Sequence, residues 1–418
     1  MTSTQDLAGS APAGDGGARP PAPAAPRRTS NVLTLMRDNV RTSGIYLAFV
    51  AIVLLFTWRT DGVLLSPSNL TNLVLQYSYI LVLAIGMVMV IIAGHIDLSV
   101  GSVVALTGAV SAVLVIQQGM PWWVGMVAAL VVGLLVGAWH GFWVAYIGIP
   151  AFIVTLAGML LFRGMTLRVL DNVSLSPFPE QYQQVASGFL NGWFGGYGYD
   201  VFTLVVFAVA VAGYAVTQLR ARRARQAYAQ QVESMPLFVL KLLVVAAVVM
   251  AFAWQLATSR GLPVVLIVLA VLILVYAAVT KSTIFGRQIY AIGGNLSAAQ
   301  LSGVNTRKIN FWVFVNMGFL SAVAGIIYSS RSNGAQPAAG NMFELDAIAA
   351  AFIGGAAVTG GVGTVVGAIV GGLIMAVMSN GMQLLGVEQS TQSIIRGLVL
   401  LLAVAFAVYA KRRGSGVR

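Results

Sequence analysis

The chain has 418 residues, 58% of them apolar and only 9% charged, with a formal net charge of +12. A large soluble domain carries about 25% charged residues, so most of this surface must face lipid. The two histidines and the lack of cysteine exclude a disulfide framework and a thiolate or histidine-built metal site. Lys and Arg fall in short clusters between apolar runs, which marks cytosolic loops and not a nucleic-acid surface.

The expected fold is an all-α polytopic membrane protein. Residues 1–42 read as a cytosolic tail. Its first thirty residues are rich in Ala, Pro and Gly without an apolar core, so they are expected to be disordered and are neither a signal peptide nor a folded unit. Arg27, Arg28, Arg37 and Arg41 precede the first apolar run and hold that end in the cytosol. The membrane domain occupies 43–413, followed by a short cytosolic tail, 414–418.

Apolar runs at about 43–58, 74–94, 99–117, 122–146 and 150–168 reach or approach the roughly 20 residues of a spanning helix. Five crossings leave the chain outside at residue 169. The external loop 169–200 fits, since it carries Asp171, Glu180 and Asp200 and no Lys or Arg. A run at about 201–218 returns to Arg220, Arg222, Arg223 and Arg225 in a basic cytosolic loop, 219–236. Runs at about 237–257 and 262–280 lead out and back to a second cytosolic loop, 281–308, with Lys281, Arg287, Arg307 and Lys308. A run at about 309–329 goes out again to Glu344 and Asp346. The last, about 393–410, ends inside at Lys411, Arg412 and Arg413.

Residues 347–383 must therefore cross twice or dip in and return. Gly360, Gly361 and Gly363 make a poor helix interior, so a break is expected there, and at membrane depth it must face protein or a wet cavity. The count is about ten spans plus a re-entrant pair, or twelve, with both termini cytosolic. Gly363, Gly367 and Gly371 recur every four residues and suit close helix packing, or the face of a moving interface or pathway.

The cytosolic stretch KSTIFGRQIYAIGGNLSAAQLSGVNTRKIN, 281–310, is too polar to span. Gly293 and Gly294 are expected to form a turn, Asn295 or Ser297 to cap a short helix, and Gly303 to stop it. A short helix of small residues projecting into the cytosol suits another protein's groove.

GRQIYAIGGNLSAAQLSGVN resembles the cytoplasmic coupling loop of the permease subunits of bacterial monosaccharide ABC importers, in the ribose/xylose/arabinose branch. AGHIDLSVGS, IPAFIVTLAGMLLFRG (149–164) and ELDAIAAAFIGGAAVTGGVGTVVGAIVGG (344–372) are similar to further segments of that family. They follow in family order over about 43–413. YAIGGN, FIVTLAGM and the extra pair of spans around 219–236 are most similar to its D-xylose members.

The resemblance implies a transport subunit in the bacterial inner membrane, not an enzyme. It implies a homodimer with a second permease copy, a cytosolic ABC ATPase carrying ATP and Mg, a periplasmic sugar-binding protein and a monosaccharide cargo. No cofactor is expected on this chain, which has no G-x-x-x-x-G-K-[ST] phosphate loop. The implied ATPase contacts are Gly286, Arg287, Ala291, Gly294, Asn295, Ala298, Ala299, Ser302 and Gly303. Candidate pathway or gate residues are Asp97, Ser99, Thr155, Asn316, Gly360, Gly361 and Gly363.

The polar residues leave alternatives open. The topology places 95–99 at the cytosolic ends of two helices, where Asp97 or Ser99 caps the helix starting near 100. Alternatively the break re-enters the membrane and Asp97 holds a gate. Thr155 and Asn316 either bond between helices or meet sugar. Arg163 snorkels outward or donates to sugar hydroxyls, Arg396 anchors at the outer interface, and Glu344 with Asp346 caps a helix or docks the binding protein. His95 and His140 read as packed residues. An ion-coupled secondary transporter is the rival reading, but it needs ionisable residues in mid-span, and beyond Asp97 and Lys241 almost none are expected. A membrane enzyme would need paired carboxylates or a nucleophile–base pair, and neither is apparent.

Overall fold

A computed structural model of the chain describes residues 40–415 other than 229 and 231. Most of the predicted disordered tail and the last three residues lie outside the described residues. The elements run α1 Val40–Arg59, α2 Pro67–Ile92, α3 Val100–Ala112, α4 Trp122–Phe142, α5 Ala151–Val169, α6 Glu180–Ser187 and β1 Phe189–Leu190. Then follow α7 Val201–Ala227, α8 Met235–Ala257, β2 Leu262–Pro263, α9 Val264–Ser282, α10 Ile284–Gly294 and α11 Leu296–Leu301. The chain ends with α12 Thr306–Ser332, α13 Phe343–Ile353, α14 Val365–Leu384 and α15 Gln389–Ser415. Short π-helical turns extend α3 to Gln117 and α4 to Ile147.

Among the described residues, nine helices are long and apolar enough to cross a membrane: α2 to α5, α7 to α9, α12 and α14. Gly44–Arg59 and Gln389–Ala405 are shorter apolar stretches. The 347–383 segment resolves into an 11-residue helix, α13, too short to span, a break, and the 20-residue α14. The break falls where the glycines place it.

Two boundaries differ from expectation. Helix α2 begins at Pro67, seven residues before the expected run, because proline suits the first helical position and the polar residues that follow find partners. Asn69 and Asn380 exchange amide hydrogen bonds of 2.8 and 3.1 Å, and Thr71 bonds back to the Pro67 carbonyl at 2.8 Å. Helix α7 runs to Ala227, so Arg220 to Arg225 lie on its last turns and not in a loop. Ala, Gln and Arg are good helix formers. Lys241 sits near the start of α8 and pairs with Glu233 at 3.6 Å, so it is no mid-span charge.

Helix α2 is buried along most of its length, and α12 packs against it, α3 and α4. The α4–α12 contact is backbone on backbone. Gly133, Gly137 and Gly141 recur every four residues on α4. A Cβ at the first two would lie 2.5 Å from the carbonyl oxygens of Gly318 and Phe314, and one at Gly141 would lie 2.8 Å from that of Phe311. Small residues let helices approach this closely. The same logic governs α14, where Cβ atoms at Gly367 and Gly371 would overlap the carbonyls of Gly354 and Ala350. That stripe packs α14 on α13.

The external loop is structured. Tyr182 on α6 is fully buried, its ring stacked on Phe178 at 4.0 Å and its hydroxyl 3.0 Å from Ser329 near the end of α12. Asp200 caps α7, accepting from the Thr203 amide at 2.8 Å, the Thr203 hydroxyl at 2.6 Å and the Gly192 amide at 2.9 Å. Burial pushes the Asp200 carboxyl up, but these donors together outweigh it and hold the group below its ordinary value.

Gly137→Ala should lower the thermal midpoint in detergent, reflecting the ~1–3 kcal/mol typical of overpacking. Gly164→Ala, whose Cβ meets nothing within 4 Å, should leave it unchanged or slightly raised. Equal shifts in the two variants would refute the packing account.

Candidate functional site

Helix α2 ends at Ile92, and residues 93–99 run without regular structure to the start of α3. Their position is fixed by α5. The Thr155 hydroxyl lies 3.4 Å from the Ile96 carbonyl and 3.4 Å from that of Phe152, and the Ser102 hydroxyl donates to Met159, midway along α5, at 2.9 Å. Ile96 to Ser102 therefore run along the first half of α5, from Thr155 to its midpoint. The stretch joins the end of α2 to the start of α3.

Ser99 takes the N-cap position of α3 but makes no side-chain capping bond, which corrects the expected cap. Asp97 Oδ1 instead accepts from the Ser99 amide at 2.8 Å and the Ser99 hydroxyl at 2.6 Å in a turn just before the helix, and Asp97 is only 3% exposed. A carboxylate near a helix N-terminus is favoured by the helix dipole, and protein encloses the group that would be costly in lipid.

A second irregular segment, 333–342, meets the same place. A Cβ at Gly101 would overlap the Gly340 carbonyl and lie 2.5 Å from Glu344 Oε2. The Arg163 guanidinium donates to the Ala339 carbonyl. Asp346 pairs with Arg396 at 3.8 Å. The Tyr79, Tyr328 and Phe343 rings, with centroids 4.6 to 5.2 Å apart, hold the start of α13 between α2 and α12. Charge within the spans is scarce, as expected, but what there is converges. Asp97, Arg163 and Glu344 come from separate runs and gather around the start of α3. Arg163 is turned to protein, and Arg396 is an ion-pair partner as well as an anchor.

Asn316 is satisfied by protein: its Oδ1 accepts from the Tyr276 hydroxyl and its Nδ2 lies 3.7 Å from Met89 Sδ. His95 and His140 pack against Phe314, with centroids 5.7 and 6.5 Å away.

The third irregular segment is the glycine break, 354–364. Gly355, Gly360 and Gly361 have φ of +92°, +79° and +74°, the left-handed region that favours glycine. The Gly361 amide donates to the Ile92 carbonyl at 2.8 Å, joining this break to the end of α2. Helix α10 docks on the same carbonyl. A Cβ at Gly293 would overlap it and would lie 2.5 Å from the Gly361 nitrogen. The Tyr290 hydroxyl donates to the Gly363 carbonyl at 2.7 Å, and burial raises its pKa, keeping it a donor. Three backbones meet at one point.

Gly293 and Gly294 form the last turn of α10, which corrects the expected loop turn. The Thr283 hydroxyl starts that helix, accepting from the Gly286 amide at 3.1 Å, and the close seat of Gly293 on Ile92 leaves no room for a side chain. Asn295 caps α11 as expected, accepting from the Ala298 amide at 3.0 Å, and Gly303 at φ +81° ends it. Arg287, Ala291, Gly294, Asn295, Ala298, Ser302 and Gly303 are exposed. Gly286 and Ala299 are buried and shape the arm from within. Sequence reasoning passed over Leu301, 90% exposed, and both Tyr290 and Gly293, which tie the arm to the break.

Residues 69–404 match the family model described as branched-chain amino acid transport system / permease component. The chain belongs to this permease family. It is 42% identical over 366 residues to the xylose transport system permease protein XylH of Escherichia coli (strain K12), covering 88% of this chain and 91% of the relative. It is 40% identical over 366 residues to XylH of Haemophilus influenzae, covering 88% and 96%. It is 34% identical over 339 residues to the ribose import permease protein RbsC of the same organism, covering 81% and 84%. No solved structure matches. The permease is a multi-pass membrane transport component, not an enzyme.

Two glycine variants give a test of the junction. Gly293→Ala should cut transport by about tenfold, the effect of a coupling change near 1.4 kcal/mol. Gly213→Ala on α7, whose Cβ meets nothing within 4 Å, should retain transport. The account fails if both variants transport like the parent while reaching the membrane in equal amounts.

Proposed function

We propose that this permease is the membrane-embedded subunit of an ATP-driven monosaccharide importer of the bacterial inner membrane, with D-xylose as cargo. The observation that carries this reading is the α10–α11 arm, which presents a small-residue surface and is held by backbone contact to the ends of two broken helices. The two XylH relatives supply the sugar. On this reading a cytosolic ABC ATPase, holding ATP and Mg, grips the arms of two permease copies. A periplasmic binding protein delivers the sugar to the outer face.

The exposed contacts are then Arg287, Ala291, Gly294, Asn295, Ala298, Ser302 and Gly303, joined by Leu301. Movement of the arm reaches Ile92 through Gly293 and the glycine break through Tyr290. The same movement bears on Gly360, Gly361 and Gly363 as gate residues. Asp97, Ser99 and Thr155 hold the upper break in register with α5, and Asn316 fixes α9, α12 and α2 together. Affinity for the sugar rests on the delivery protein, so the pathway needs only weak polar contacts.

One observation favours a second reading. Charges gathered within the membrane domain are the means by which ion-coupled carriers work, and Asp97, Arg163 and Glu344 lie near one another there.

One experiment separates the two. In vesicles holding the permease, its ATPase and the binding protein, xylose uptake should persist when the proton and sodium gradients are dissipated at constant ATP. It should stop when the ATPase is inactivated. Uptake that collapses with either gradient while ATP is maintained would contradict the proposal.

A further inference from the structure

Beside the junction lies a cavity of about 280 Å³, walled by the start of α1, the arm and the glycine break. Ile45 and Tyr46 form one side, Tyr290 another, and Gly355, Val362 and Thr364 a third. We propose that this cavity is a binding site for a single neutral sugar, the last chamber it occupies before leaving for the cytosol. The inference rests on the sugar-import reading above and assigns that function a place.

Size sets the first limit. Small-molecule sites occupy about 300–1,000 Å³, so this chamber sits at the lower end and suits one pyranose or furanose ring. An oligosaccharide does not fit. Charge sets the second. None of the residues lining the cavity is charged, so a zwitterionic amino acid would bury two charges without partners there, at a cost of several kcal/mol. A polyol loses nothing of that kind.

The lining also suits hydroxyl groups. Glycines at 354, 355, 361, 363 and 367 carry no Cβ to screen their peptide groups from a ligand. The Gly363 carbonyl already accepts from Tyr290, and a carbonyl oxygen has a second lone pair. The Tyr290 oxygen, donating its proton to Gly363, keeps acceptor capacity. Tyr46 and Tyr290 both line the cavity, and aromatic rings suit the C–H side of a sugar ring. These groups are polar, uncharged and partly open, which gives a site that a sugar enters and leaves readily.

The walls belong to parts expected to move together. Tyr290 is on the arm, and Gly361 and Gly363 are in the break that the arm touches. A pull on α10 therefore changes the cavity directly, without a relay through the core.

The chain contains no cysteine, so an introduced one is unique. Val362→Cys replaces a 44% exposed residue of the cavity wall. Tyr228→Cys, at an 80% exposed residue after α7, serves as a control away from the cavity. In inside-out vesicles holding the full importer, each is labelled with a charged thiol reagent with and without D-xylose. D-Xylose should slow labelling at Val362→Cys by about threefold at twice its half-saturating concentration, while L-leucine should not. Labelling at Tyr228→Cys should be unaffected by either. Val370→Cys, which also lines the cavity, provides the same readout if Val362→Cys blocks import. Sugar-independent labelling in a variant that still imports xylose would overturn the chamber and leave the importer reading standing. Absence of xylose import by the parent complex would overturn the importer reading, and the chamber with it.

Discussion

A polypeptide that interrupts a helix inside a bilayer exposes peptide groups that lipid cannot satisfy. This permease interrupts its helices after Ile92, before Phe343 and after Ile353. It meets the constraint by docking the interruptions on one another. The Gly361 amide takes the Ile92 carbonyl, Gly94 and Gly360 pack backbone to backbone, and Gly340 lies against Gly101. Asp97 supplies the acceptor for the start of α3. Because the partners are main-chain atoms at van der Waals contact, a shift in one segment cannot be absorbed by a side-chain rotation. It must be passed on or broken.

This rigidity gives the arm its meaning. Helix α10 reaches the cluster of breaks through Gly293 and Tyr290, at the end of a structure otherwise exposed on its outer side. The glycine stripe on α4 serves a different end, locking α4 to α12 so that the core has a fixed frame. Glycine at Gly293 and at Gly137 is thus used for the same physical reason, close approach, with opposite consequences. One joins the arm to the helix breaks and the other joins two helices of the core.

Much of the fold was legible in the sequence, because apolar runs and basic clusters report helices and loops by simple solvation. The end of α8 and the start of α4 lie where hydropathy puts them, and Gly360, Gly361 and Gly363 announce their break. The packing of residues 93–102 was not legible. Only the contacts with Thr155 and Met159 show that this stretch runs along α5. The grouping of Asp97, Arg163 and Glu344 was hidden because each residue looks isolated in its own run. Paired glycines usually mark turns, so Gly293 and Gly294 read as one. Their helical state follows from the seat of Gly293 on Ile92, a tertiary contact that no local pattern encodes.

The central claim is that arm and break move as one body. Spin labels at Ile284→Cys on α10 and Val362→Cys in the break, both exposed sites in a chain free of cysteine, measure it directly. Through the ATP cycle of the assembled transporter, the distance between these labels should stay fixed. The distance from Val362→Cys to a label at the exposed outer residue Leu385→Cys should change. An arm that shifts relative to Val362→Cys, while Val362→Cys holds its distance to Leu385→Cys, would contradict the account.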